Sequence, residues 1–308
     1  MCYGNLNLFL IDEAGVTPIC AVSLPPEKDS VWAGRHLQPR IHVSLNERFA
    51  VVCHDHGCFG QVFDLQTASA TMPLDRGDYH PETQPFSIAF FQQNGRPLLV
   101  HGADWNRLEM SDPQTGELLT PRDEMVYEDG TRPDHYLDFF HGSLLVSPDE
   151  AWIADDGWVW HPVGEVTVWN LNDWLESNAY ESEDGVSRRL LCWRDYLWNI
   201  PVAWVDNKRL AIWGIGRDDD AMLSGARVFD VTTGKETATF AGPEKTAFFG
   251  GEGRLFSAQD DGLHLWDAST GERVGIIKGF QPRWQRGDFL IELNGNRVRS
   301  WNWRIAFD

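Results

Sequence analysis

The chain reads as an all-β protein, a β-propeller of four-stranded blades, and three observations carry that prediction. A turn-and-strand unit recurs along the whole chain, and repetition on this scale sets the architecture before any local argument. Residues 257–278, Ser-Ala-Gln-Asp-Asp-Gly-Leu-His-Leu-Trp-Asp-Ala-Ser-Thr-Gly-Glu-Arg-Val-Gly-Ile-Ile-Lys, give its clearest form. They spell a strand end, an Asp-Gly turn, a strand closing on Trp-Asp, a Thr-Gly turn and another strand. The composition agrees: of 308 residues, 42% are hydrophobic, with 15 Trp and 17 Phe, enough for a large core and too much for disorder.

The units align on the turn between their third and fourth strands. Its members are Phe63-Asp64-Leu65-Gln66-Thr67, Met110-Ser111-Asp112, Phe229-Asp230-Val231-Thr232-Thr233-Gly234 and Trp266-Asp267-Ala268-Ser269-Thr270-Gly271, with Trp169-Asn170 and Trp301-Asn302 as divergent ones. Asp or Asn suits such a reversal because its side chain caps the turn, and a following Gly accepts positive φ. A strand–turn–strand signature precedes each turn, clearest at Leu144–Gly157 and repeated at 41–57 and 246–262. Inner strands near residues 41, 86, 143, 200, 245 and 282 give six blades; seven stays open because the N-terminal strands number one more than closure needs. The expected arrangement is one domain over 1–308, with strands near Leu6–Ile11 and Ile19–Ser23 completing the C-terminal blade and hiding a sheet edge.

Two segments interrupt the pattern. Leu171–Gly185 falls between the third and fourth strands of the third blade, where Asn172 is expected to cap a short helix with Asp173 in its first turn. Ser187–Trp193 then supplies the delayed strand. Met110–His141 holds a long, acidic, Pro- and Gly-punctuated loop, and insertions of this kind gather where repeat proteins bind.

On these residues the chain resembles the WD40-repeat β-propellers, as a divergent, stand-alone bacterial-type member. The likeness is strong at 143–170 and 226–278, fair at 36–74, and weak at 86–120 and 281–308. It implies a polar network in each blade: a His before the first strand, a Ser or Thr in the second, an Asp in the next turn and the Trp of the third. Ser257, Asp260 or Asp261, and Trp266 match three of these; His36 and Asp55 match two, with Cys53 and Phe63 replacing Ser and Trp. Asp55, Asp156 and Asp261 are accordingly expected to serve structure.

Charge and cysteine content narrow the function classes. A formal charge of −20, from 46 acidic and 26 basic side chains, opposes nucleic acid and anionic lipid and favours a basic partner. Five cysteines at irregular spacing make no disulfide framework, and no apolar run reaches the ~18 residues of a membrane span. The expectation is a cytoplasmic monomer.

Second-to-third-strand turns and inter-blade loops share one end of a propeller. On this chain that end carries His54–His56, Asp104–Asn106, Asp155–Pro162, Gly216–Gly225, Asp260 and Asp261, with Asp75, Asp78, Tyr79, His80 and Glu82 from the loops. It is acidic and bears Trp105, Trp158 and Trp160, the composition of interaction hot spots. The partner-binding residues expected are Trp105, Trp158, Trp160, His161, Asp218, Asp219, Asp220, Glu128 and Asp129. Trp158-Val159-Trp160 also reads as a strand extension packed on its neighbour.

The most metal-like stretch, Cys53-His54-Asp55-His56-Gly57-Cys58, alternates its side chains across a strand and has no second cluster, so no metal or cofactor is expected. There is no Gly-X-Ser-X-Gly elbow, His-Glu-X-X-His, P-loop or Gly-X-Gly-X-X-Gly. The leading expectation is a non-catalytic protein-interaction propeller. Alternatives are an immunity- or antitoxin-type inhibitor of a cationic effector, a propeller hydrolase or lyase using the central funnel, and a carbohydrate or small-ligand binder stacking on the tryptophans.

Overall fold

Short strands joined by tight turns dominate: 55% of the described residues are in strands and 6% in helix. The computed structural model describes residues 6–12, 15–27, 37–122, 130–132, 134–295 and 297–305. Strands β1 (Leu6–Asp12) and β2 (Gly15–Val22) form a hairpin. Six further sheets follow in chain order and are the blades of a six-bladed β-propeller. The first holds β3 (Gln38–Val43), β4 (Phe49–Asp55), β5 (Phe59–Asp64) and β6 (Ser69–Asp75). The second holds β7 (Ile88–Gln93), β8 (Arg96–Asp104) and β9 (Arg107–Ser111). The third runs β10 (Phe140–Val146), β11 (Trp152–Val159), β12 (Val163–Asn170), then helices α1 (Leu171–Glu176) and α2 (Glu181–Asp184), then β13 (Arg189–Asp195). Strands β14 (Val202–Trp204), β15 (Arg209–Ile215), β16 (Leu223–Asp230) and β17 (Lys235–Ala241) make the fourth. The fifth is β18 (Phe248–Gly251), β19 (Arg254–Gln259), β20 (Gly262–Asp267) and β21 (Arg273–Lys278). Last come β22 (Trp284–Arg286), β23 (Phe289–Asn294) and β24 (Arg297–Asn302).

The repeated Asx residue explains why each unit turns where it does. In all six units its side-chain oxygen accepts backbone N–H groups two and three residues on, or three residues on with a neighbouring hydroxyl. Asp64 takes Gln66 and Thr67, Asp112 takes Gln114 and Thr115, and Asp267 takes Ser269 and Thr270. Asp230 takes the Thr233 N–H and the Thr232 hydroxyl. Asn302 takes Arg304 and Ile305. Asn170 takes Asn172 and Asp173, so the cap of α1 is Asn170 and not the expected Asn172. The divergent turn has kept its Asx and spent it on a helix N-terminus, where an extended residue with a short polar side chain fits. Just before this turn, the third and fourth strands slip register in four blades, at Val62/Phe63, Val166/Thr167, Val228/Phe229 and Leu265/Trp266.

Among the described residues β1 and β2 pair with each other, and the last blade holds three strands. The hairpin is held by apolar burial: Leu8 and Val22 pack with Val52 and Phe63 of the first blade. In the second blade, residues 118–120 stand in for a regular fourth strand, Leu119 N–H donating to Met110 O and Met110 N–H to Thr120 Oγ1.

Contact density divides the chain into two compact units. The first comprises Met1–Val146, Gly157–Trp160 and Trp169–Arg188. Its core includes Val51, Val62, Leu74, Phe86, Ile88 and Leu99, the inward residues of its first two blades. The second comprises Ser147–Asp156, His161–Val168 and Arg189–Asp308, with a core of Phe249, Phe256, Leu263, Leu265, Phe280, Leu290 and Trp303. No described helix is long and apolar enough to cross a membrane.

Candidate functional site

The turns and loops of the first unit bring six aromatic side chains together. Tyr79 and His80 lie after β6, Trp105 in the β8–β9 turn, Phe140 at the start of β10, and Trp158 and Trp160 at the end of β11. Phe140 is the hub. It stacks on Trp158 with centroids 4.2 Å apart and planes 8° from parallel, and meets Trp105 at 4.5 Å, Trp160 at 5.5 Å and Tyr79 at 5.8 Å. Trp158 and Trp160 meet edge to face at 5.0 Å, and His80 sits 4.7 Å from Tyr79 and 5.6 Å from Trp160. These offset and edge-on geometries suit the ring quadrupoles.

Burial sorts the rings into a floor and a surface. Phe140 and Trp158 are 2% and 3% exposed, whereas Tyr79 and Trp160 are 46% and 45% exposed, with Trp105 and His80 half-buried. Trp158 is therefore no surface anchor. β11 continues to Val159, and the Trp158 ring packs under the cluster with its indole N–H donating to Thr83 Oγ1 at 3.3 Å.

The loops are fixed by polar contacts. Asn106 Nδ2 donates to Leu137 O at 2.7 Å, and His141 N–H to Trp105 O at 3.2 Å, which tie the approach to β10 onto the β8–β9 turn. His80 adopts φ 54° ahead of a 3-10 turn at Pro81–Thr83, and its Nδ1 lies 3.0 Å from Glu82 Oε1. Buried Arg76 donates to the carbonyls of Gly57, Pro81, Gln84 and Pro85, satisfying four backbone acceptors beneath the loop.

The loops that carry the rings also carry carboxylates. Asp75, Asp78 and Asp138 are exposed and Asp104 is half-buried. Desolvation raises the Asp104 carboxyl above its ordinary range, and the charges of Asp75 and Asp78 push the same way, against Arg107 and the Trp105 N–H. Burial likewise raises the Tyr136 phenol, with Asp138, Tyr79 and Asp104 adding to it and Arg132 opposing. Arg132 lies over the Tyr136 ring at 4.3 Å and 3.7 Å from Asp138.

The remaining expected residues belong to the second unit or lie outside the described residues. His161, exposed at the β11–β12 turn, belongs to the second unit, as do Asp218, Asp219 and Asp220. These three are exposed on the β15–β16 loop, where Asp218 caps a 3-10 turn by accepting from the Asp220 N–H. That loop is clamped to β13: Asp195 N–H donates to Arg217 O at 2.7 Å, and the Arg217 guanidinium lies 3.2 Å from the Trp193 ring centroid. Glu128 and Asp129 lie outside the described residues, as does His36.

The residues read as structural make internal contacts. Asp156 is wholly buried in the second unit, accepting from Arg194 Nη2 at 3.3 Å and from the Ile200 N–H at 2.8 Å; desolvation drives its pKa up to about 6. Asp55 pairs with Arg40 at 2.6 Å, and Trp266 Nε1 donates to Ser257 Oγ at 2.9 Å. Asp261 pairs with His264 Nε2 at 2.7 Å on the next strand. In the cysteine- and histidine-bearing turn, His54 Nδ1 lies 3.0 Å from Glu27, and burial pushes the Cys53 and Cys58 thiols up to about 12.

Sequence reasoning missed Phe140 at the aromatic cluster, and Tyr136 beside Arg132. Phe140 reads as a core residue of an inner strand, and only the loops that converge on it reveal its second face. Tyr79 is visible within an acidic loop, but beyond the adjacent His80 its ring neighbours Trp105 and Phe140 lie 26 and 61 positions away in the chain.

No family model and no curated protein sequence matches the chain. Solved structures do. A chain in the crystal structure of the mitotic checkpoint complex is 13% identical with a TM-score of 0.56, over 97% of this chain and 82% of that one. Saccharomyces cerevisiae Sqt1 is 14% identical with a TM-score of 0.49, over 82% of this chain and 65% of the Sqt1 chain, so this chain spans just under two thirds of that length. The fold is that of a WD40-type six-bladed β-propeller.

Proposed function

We infer that the protein is an interaction module that binds a basic partner protein through the Tyr79–Trp105–Trp160 face of its first unit. One observation carries this reading: two large rings, Tyr79 and Trp160, stand nearly half exposed on a buried floor of Phe140 and Trp158, with Asp75, Asp78, Asp104 and Asp138 on the same loops. Aromatic anchors on a pre-ordered floor lose little entropy on binding, and surrounding carboxylates steer and select a cationic partner. That a solved structure of similar fold comes from a multiprotein complex is consistent with it.

The test is affinity capture with the wild-type chain, repeated with Tyr79→Ala and Trp160→Ala. A stoichiometric partner that both substitutions release, and that salt weakens steeply, supports the reading. Undiminished capture by both variants refutes it.

A further inference from the structure

We propose that the partner engages this face with an arginine side chain, its guanidinium stacked on the exposed ring of Tyr79 or Trp160 and ion-paired to the adjoining carboxylates. This rests on the reading of the same face as a protein-binding surface and names the chemistry it selects.

The site already contains one such arrangement made from its own chain. Arg132 lies over the Tyr136 ring at 4.3 Å with Asp138 at 3.7 Å, a guanidinium in contact with a ring and a carboxylate at once, and it remains 63% exposed. Asp104 lies against the Tyr79 loop, its Oδ1 3.4 Å from where a Cβ on Gly77 would stand, and its charge adds to that of Tyr79 on the Tyr136 phenol. Tyr79 and Trp160 repeat the ring, and Asp75, Asp78 and Asp104 repeat the carboxylate. The other nearby cations are committed. Arg76 is buried on four carbonyls, and Arg107 Nε lies 3.3 Å from Glu109.

Arginine matches this site better than lysine. Its guanidinium is planar and weakly hydrated, stacks on aromatic faces while its edge pairs with a carboxylate, and loses less on leaving water than an ammonium does. Asp104 is raised chiefly by desolvation, with the like charges of Asp75 and Asp78 adding to it, and a cation placed among the three carboxylates offsets both effects.

The experiment titrates amidated Gly-Arg-Gly, Gly-Lys-Gly and Gly-citrulline-Gly into the full chain and follows the indole Nε1–H signals by NMR. The expected result is a saturable shift of the Trp160 signal with the arginine peptide and binding at least about tenfold weaker with citrulline, which keeps the shape and removes the charge. The lysine peptide binds more weakly than arginine, and Tyr79→Ala or Trp160→Ala weakens the arginine peptide about tenfold with the melting temperature within about 2 °C of wild type. Absence of a shift, equal binding of citrulline or lysine, or undiminished binding to both folded variants, Tyr79→Ala and Trp160→Ala, overturns the proposal. Capture that fails while the peptide still binds refutes only the protein-binding reading; partner capture lost in both variants, with no peptide binding, refutes only this one.

Discussion

Asp267→Ala removes the side chain that sets the turn of the fifth blade, and the structure fixes the expected loss. Its Oδ1 accepts the N–H groups of Ser269 at 2.9 Å and Thr270 at 3.0 Å, and its Oδ2 takes Arg254 at 3.1 Å. Each turn bond contributes about 0.5–1.5 kcal/mol net, while the exposed ion pair adds at most about 0.5. The sum is about 2 kcal/mol. For a chain of 308 residues the unfolding entropy scales to about 0.65 kcal/mol/K, so the melting temperature should fall by about 3 °C. Asp267→Asn should lose about a third of that, because an amide oxygen still accepts both N–H groups, as Asn170 and Asn302 do in their own units. The two N–H bonds also hold the carboxyl below its ordinary range, so its stabilisation is present at neutral pH and is lost as pH falls through the lowered value. Differential scanning calorimetry of the three proteins at neutral pH and near pH 3 measures both effects. Equal losses from Ala and Asn, or no loss from Ala, would refute the assignment of the turn to this acceptor.

Asp156 gives the opposite pH sign. Its folded pKa is raised to about 6, so its contribution is full below the ordinary value of 3.8 and is lost as pH rises through 6. Wild type should therefore gain melting temperature relative to Asp156→Asn as pH drops from 7 to 5. Trp158→Ala, which empties a site 3% exposed under the cluster, should cost about 3–5 kcal/mol in chemical denaturation, whereas Trp160→Ala at 45% exposure should cost about 1 or less. Gly57→Ala would place a Cβ 2.7 Å from both Glu27 carboxylate oxygens and from His54 Cβ. That overlap should destabilise by about 1–3 kcal/mol, read by thermal melting.

The repeat was legible because its signals are local. An Asx at a fixed place and an apolar run before it state where each strand ends, and all six sequence-aligned turns prove to use that side chain on neighbouring N–H groups or hydroxyls. The slip from Asn172 to Asn170 came from treating the third-blade insertion as separate from the repeat whose Asx it uses. Fate of the N-terminal strands was harder to read, since β1 and β2 satisfy each other's backbone groups and their apolar face chooses a neighbour by packing.

Sequence alone determined the strand-rich repeat, the acidic balance and the turns that carry Trp105, Trp158 and Trp160, and it favoured the six blades that the structure counts. Tertiary structure decided which of those rings face water. Trp158 and Trp160 are two residues apart and chemically identical, and one is floor while the other is surface, because β11 ends between them and Phe140 takes the inner ring. Burial depends on what arrives from distant turns, and a periodic pattern carries no record of that.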